Sequence, residues 1–323
     1  MKNTTKNIMK VLSVIAPTTA IASFAFYATT KCLVNIAIDR EVPKTMKSVG
    51  KLISGSKPDE GSVSKCKEAA QKLMGRENET VKIVARDGTT LIGHWIPRGN
   101  AKRIIIAMHG WRSTWYKDFG MISDFWENND CSVLYAEQRG QNNSGGDYMG
   151  FGLIERYDCL DWINWVTNRC GGELPIYLSG VSMGATTVLM ASGFALPSNV
   201  HGIIGDCGFT SPYAIWKHVA NKNLHIAFGI RGTVADALCK KKIQIGANDY
   251  STIDALQTCS VPIILIHGTD DHFVPIEMTY ENYKACHSPK KLFVVPGADH
   301  GMSYDVDQDG YEAVIQDFWR QFD

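Results

Sequence analysis

The chain has 323 residues, 45% of them hydrophobic and 20% charged, with 33 Lys+Arg against 33 Asp+Glu. That composition is globular and excludes a disordered or fibrous chain. A formal net charge of zero leaves no basic excess to neutralise phosphates, so nucleic acid is excluded as a partner. The nine cysteines are odd in number and form no CxxC pair, which supports neither a zinc site nor a disulfide framework.

Between Lys10 and Lys31 lie twenty uncharged residues, Val11 to Thr30, about 30 Å of helix and enough to cross a bilayer core. Lys2, Lys6 and Lys10 precede the run and favour a cytoplasmic N-terminus. Residues 1–40 are therefore read as a single-pass anchor in the cell membrane, with the rest of the chain outside the cytoplasm. A cleaved secretory signal, with Ala20-Ile21-Ala22 as the cleavage site, is the alternative, and a buried helix is a third. Cys131, Cys159 and Cys207 sit in apolar segments and read as reduced core residues, which pulls against an oxidising exterior.

Residues 41–80 read as a linker rich in Pro and Gly followed by a short amphipathic helix around Cys66–Met74. From Val81 the pattern becomes that of a folded domain, 81–323. Val81–Ala85 and Leu91–Ile96 alternate around Asp87-Gly88, a hairpin signal. Arg103–Met108 is a continuous apolar run, the mark of a strand buried on both faces. Strands at Ser132–Ala136, Pro175–Ser179, Gly202–Gly205, Val261–His267 and Lys291–Val295 follow. They are interleaved with helices at Leu153–Asn168, Met183–Ala195, Glu277–Cys286 and Asp309–Phe322. Alternation of this kind predicts an α/β fold, a mostly parallel sheet with helices on both faces. It lapses over about 211–256, which reads as a small helical cap inserted over the sheet's C-terminal edge.

Gly180-Val181-Ser182-Met183-Gly184 falls between a predicted strand and a predicted helix, the context in which G-x-S-x-G forms a nucleophile elbow. A serine hydroxyl needs a base, and the base needs an acid to fix its tautomer. Two polar clusters lie downstream at strand ends: His267-Gly-Thr-Asp270-Asp271-His272-Phe-Val-Pro275 and Gly297-Ala-Asp-His300. His300 is the candidate base and Asp271 the candidate acid. His267 and His272 are rival bases, and Asp270 and Asp206 are rival acids. An oxyanion site needs two backbone N–H groups, here assigned to Met183 and Trp111. Trp115, Tyr116 and Trp216 are candidates for a substrate pocket, or for packing of cap against core. Asp305-Val-Asp-Gln-Asp-Gly310 copies the start of a calcium loop, but Gln316 stands where the bidentate Glu belongs; it reads as the acidic start of the last helix.

These motifs resemble the α/β-hydrolase superfamily over roughly residues 80–323. The resemblance rests on His109-Gly110-Trp111, the G-x-S-x-G, His-Gly-x-x-Asp-x-x-Val-Pro (267–275) and Gly-Ala-Asp-His (297–300). Aligned this way, the family's acid falls on Asp271. The loop Gln138–Gly145 resembles the family's Arg-Gly-x-Gly-x-Ser segment, with Asn142 in place of the second Gly. With its N-terminal apolar run the chain is similar to bacterial membrane-associated hydrolases. The resemblance implies a cofactor-free and metal-free serine hydrolase, a carboxylesterase acting on a small ester, with Ser182-Asp271-His300 as the triad. A peptidase or acyltransferase with the same triad, or a non-catalytic binding protein on the same scaffold, are the alternatives. Ser182 in the elbow sets the chain apart from relatives that carry Asp there, and the absence of His-Gly-Gly-Gly sets it apart from one lipase and esterase branch.

Overall fold

The computed structural model describes residues 22–42 and 60–323. Eight strands form one sheet: β1 Glu79–Val84, β2 Thr90–Ile96, β3 Arg103–Met108, β4 Cys131–Ala136, β5 Ile176–Val181, β6 Val200–Asp206, β7 Ile263–Gly268 and β8 Lys290–Val295. Their order is β1-β2-β4-β3-β5-β6-β7-β8. Only β2 runs against its neighbours; β4, β3, β5, β6, β7 and β8 pair in parallel. Asp87-Gly88 makes the predicted β1–β2 turn, with Gly88 at φ 85° and Asp87 Oδ1 accepting the Thr89 N–H at 3.1 Å.

The apolar runs form strands because both their faces are covered. In β3, Ile104, Ile106 and Met108 enter one core beside Trp162, Ile163 and Leu189, while Ile105 and Ala107 enter the other beside Trp126, Phe318 and Trp319. Each such side chain withdrawn from water contributes about 1.5–3 kcal/mol, so a register slip of one residue in β3 gains nothing and breaks every neighbour's packing. The elbow helix, Met183–Ala191, is buried along its whole length. It stops short of the predicted Ala195 because the Ser192 hydroxyl takes up the Leu189 carbonyl and Gly193 follows.

Two short helices, Trp115–Phe119 and Ser123–Asn128, lie between β3 and β4. The helix before β1 is longer than predicted, Glu60–Met74. Between β6 and β7 come Pro212–His218, a π-helical turn Val219–Asn223, and Gly229–Ile243. Thr252–Thr258, which straddles the end of the predicted cap range, puts Leu256 in the main core. The calcium-like segment is helical at Ser303–Val306 and again from Gln308, and Asp307 caps the last helix by accepting the Gly310 N–H at 3.0 Å.

Residues 22–38 are helical and continue out of the uncharged run. Val34, Ile36 and Ile38 are buried, and Val34 and Ile38 pack with Leu153, Met190 and Ala235 of the domain. Among the described residues no helix is long and apolar enough to cross a membrane; residues 1–21, where most of the predicted anchor falls, lie outside them, as does linker 43–59.

Candidate active site

Strand order reverses at β3, whose neighbours are β4 and β5. Open α/β sheets form their crevice at the carboxyl ends of strands around such a point. The Ser182 turn follows β5 there. Ser182 sits at φ 56°, ψ −117°, a region costly for a residue with a Cβ. The surrounding glycines make the turn possible. A Cβ on Gly184 would overlap the Met108 carbonyl of β3, and one on Gly180 would overlap the Gly184 backbone. The Ser182 hydroxyl does not cap its helix; it is turned outward.

It meets His300. Ser182 Oγ lies 2.8 Å from His300 Nε2, and His300 Nδ1 lies 2.6 Å from Asp271 Oδ2. Because a carboxylate only accepts, Nδ1 carries the ring proton and the neutral ring offers Nε2 as acceptor to the serine hydroxyl. Asp271 is fixed by three further donors. Phe273 N–H and Val274 N–H reach Oδ1 at 2.9 and 2.8 Å, and His267 Nε2 reaches Oδ2 at 3.1 Å. His267, a rival base in the sequence, is fully buried with its Nδ1 on Thr279 Oγ1 at 2.6 Å. It holds the acid and does not approach Ser182. Its place one strand-end ahead of the acid is visible in the motif; its role is not.

The rival acids go elsewhere. Asp270 is exposed and accepts the Thr269 hydroxyl. Asp206 accepts the Ser303 hydroxyl at 3.1 Å and bonds Tyr311; burial raises its pKa. His272 is exposed.

Burial disfavours the charged form of Asp271, but the charge of His300 and the bonds from His267 and His300 outweigh it and hold the carboxyl well below its ordinary range. Burial likewise opposes a protonated His300, yet its proton affinity is raised well above the ordinary imidazole value by Cys207 and by Asp271. The buried Cys207 thiol is itself pushed up to about 11, so it is neutral at neutral pH and the charge that acts on His300 there is that of Asp271. Cys207, at φ 48° after β6, places its sulfur within 4.8 Å of the Asp271 and His300 donor atoms. The hydrogen bonds that link Ser182, His300 and Asp271 already engage those His300 and Asp271 atoms. In the sequence alone Cys207 reads as a core residue.

Trp111 lines the same cleft as Ser182 and Met183 follows the serine in the chain, and no hydrogen bond from either backbone N–H occurs among the described residues. The turn after β3 is braced on both sides of Trp111: Gly110 N–H donates to Asp118 Oδ2 at 2.6 Å, and Arg112 N–H to Gln141 Oε1 at 2.5 Å. Asp118 also accepts the Ser113 hydroxyl. His109 is buried, kept neutral by burial, and accepts from Gln138 N–H, while Gln138 Oε1 accepts from Thr187 of the elbow helix. Asn142 adopts φ 50°, a left-handed conformation that Asn tolerates better than most residues. It preserves the turn that a Gly would make, and its amide donates to the Ser113 carbonyl at 2.9 Å.

The three pocket candidates separate. Trp115 is buried in the core, stacked on His94 at 4.4 Å and against Tyr135. Tyr116 packs on that same core. Neither lines the cleft beside Ser182, whose lining includes the apolar Trp111, Phe273 and Met302 and the acidic Asp118, Asp206 and Asp305. Trp216 does line a cavity, a neighbouring one. The helix 22–38, which the sequence places in the N-terminal segment, reaches the site: Trp111 Nε1 donates to the Ala37 carbonyl at 2.9 Å, and Arg112 donates to the carbonyls of Ile36, Asp39 and Arg40.

An open, mostly parallel sheet with a strained serine at the turn after β5 defines the α/β-hydrolase fold, and solved structures agree. The esterase Pf2001 of Pyrococcus furiosus superposes with a TM-score of 0.62 at 20% identity, over 78% of this chain and 95% of that one. The α/β hydrolase GrgF of Penicillium sp. sh18 does so at 0.57 and 16%, over 76% and 99%. The acylaminoacyl peptidase of Pyrococcus horikoshii matches at 0.56 and 17%, over 76% of this chain and 41% of its own. No family model matches the chain. By sequence it is 25% identical over 191 residues to the uncharacterized protein YqkD of Bacillus subtilis, covering 58% of this chain and 61% of YqkD. It is 27% identical over 248 residues to the uncharacterized protein YfhR of Escherichia coli K12, covering 74% and 80%.

Proposed function

We propose that the chain is a serine hydrolase of carboxylic esters that works through an acyl-enzyme. The observation that carries this reading is the continuous chain of contacts from Ser182 Oγ through His300 to Asp271, at 2.8 and 2.6 Å, within hydrogen-bond reach for proton transfer. Ser182 attacks the ester carbonyl and its proton passes to His300 Nε2. The imidazolium so formed is stabilised by Asp271, whose other contacts keep it ionised. Oxygen charge that develops on the carbonyl is met by the N–H groups of Trp111 and Met183. His300 returns its proton to the leaving alcohol, then deprotonates a water that releases the acid. This chain's residues carry every step, with no cofactor drawn in.

Transfer to an amine or alcohol in place of water uses the same acyl-enzyme, and product analysis with added acceptors separates the two. The test of the reading is hydrolysis of short p-nitrophenyl esters by the full chain and by Ser182→Ala, with fluorophosphonate labelling of Ser182 alongside. Equal turnover by the variant would reject it. Membrane anchoring through residues 1–40 is part of the proposal and is tested by fractionation of the full chain.

A further inference from the structure

We infer that the cavity between helix 22–38 and the cap receives the acyl chain of the substrate, so that the substrates are esters of medium or long apolar acids and the N-terminal helix is part of the binding site. This rests on the proposed acyl-enzyme reading and adds to it the substrate class and an element outside the hydrolase domain. The cavity has a volume of about 90 Å³ and is partly open to solvent. Leu33 and Val34 wall it from the N-terminal helix, Ala220 and Phe228 from the cap, and Trp111 and Phe273 form its floor. The lining is apolar apart from a rim where Thr30 and Arg231 satisfy each other, Arg231 Nη1 donating to Thr30 Oγ1 at 2.9 Å.

Trp111 and Phe273 also line the Ser182 cleft. Trp111 supplies a proposed oxyanion N–H, and the Phe273 ring stands edge-on to His300 with centroids 5.0 Å apart. An acyl carbonyl seated at Ser182 therefore has its substituent against these two rings, and a chain running past them enters the apolar cavity. The Ser182 cleft is also lined by Lys117, Asp118, Asp206 and Asp305, polar groups that the apolar cavity lacks and that suit a hydrated leaving group. Apolar surface buried remotely from the reacting bond is the kind of binding energy that raises kcat/KM with substrate length, about fourfold for each methylene withdrawn from water.

The experiment measures kcat/KM for p-nitrophenyl acetate, butyrate and octanoate with the full chain and with Leu33→Trp and Ala220→Phe, which fill the cavity from opposite walls. Octanoate carries six more methylenes than acetate, and burial of even half of them is expected to make the wild type prefer it by about sixtyfold. Each variant is expected to lower that ratio by about tenfold, with Ser182 still labelled by a fluorophosphonate as a check that the site is folded. A wild-type ratio near one overturns the inference whether or not the variants fold. A labelled Leu33→Trp that keeps the wild-type ratio removes the helix from the site. If the wild type cleaves no ester at all, the proposed function fails first, and that outcome is distinct from hydrolysis of every ester without regard to length.

Discussion

Replacing Asp271 by Asn tests the proton chain at its most constrained point. Oδ1 of Asp271 accepts two backbone N–H groups, from Phe273 and Val274. An Asn side chain must turn its oxygen to those donors, which leaves its NH2 facing His300 Nδ1 and His267 Nε2. His300 Nδ1 then has to accept a hydrogen bond, so the ring proton moves to Nε2 and points at Ser182 Oγ. A base in that tautomer cannot take the serine proton. The equivalent change in another serine hydrolase costs about 10⁴ in kcat, roughly 5.5 kcal/mol of transition-state stabilisation. We expect a loss of the same order here, with KM changed by less than about threefold because the acid does not touch substrate. The assay is steady-state hydrolysis of p-nitrophenyl butyrate at saturating and sub-saturating concentrations, with circular dichroism to confirm folding. A folded Asp271→Asn that keeps a tenth or more of wild-type kcat would show that Asp271 does not set the His300 tautomer, and the mechanism would have to be redrawn.

Other outcomes follow from the same geometry. His300 is shifted upward and must be neutral to act as base, so kcat/KM rises with pH through an inflection above the ordinary imidazole range of about 6.5. A pH–rate profile reads that inflection, and in Asp271→Asn its residual activity should inflect at lower pH because the neighbouring negative charge is gone. An inflection at or below the ordinary value in the wild type would contradict the electrostatic account. Gly184→Ala drives a Cβ into the Met108 carbonyl of a strand covered on both faces, where overpacking costs about 1–3 kcal/mol or more; denaturant unfolding should show that loss, and an unchanged midpoint would mean that the elbow is looser than described. Phe318 is fully buried under β5, edge-on to Tyr177 with centroids 5.9 Å apart, on the terminal helix away from the triad. Phe318→Ala should cost about 3–5 kcal/mol of stability, while the folded fraction labels with a fluorophosphonate at the wild-type rate.

The order of strands and helices was legible in the chain because the determinants are local. Runs such as Ile104–Met108 are apolar at every position only when both faces of a strand are covered, and Gly180 and Gly184 are required by sterics within five residues. Ser182 and His300 were legible for the same reason: each sits in a short motif at the end of such a run. What the sequence left open depended on which groups share one point in space. Asp270 and Asp271 are neighbours in the chain, yet one faces solvent and the other accepts bonds from His300, His267 and two backbone amides. His267 and His300 both end strands, and only packing sends the first to Asp271 and the second to Ser182. Trp115 and Trp216 are equally apolar, and burial against β4 takes one while the cap takes the other. Helix 22–38 showed in the sequence only as the tail of an uncharged run. That it packs against the turn beside Ser182 depends on the Ala37 carbonyl meeting the Trp111 indole, a contact between residues 74 positions apart that no local pattern encodes.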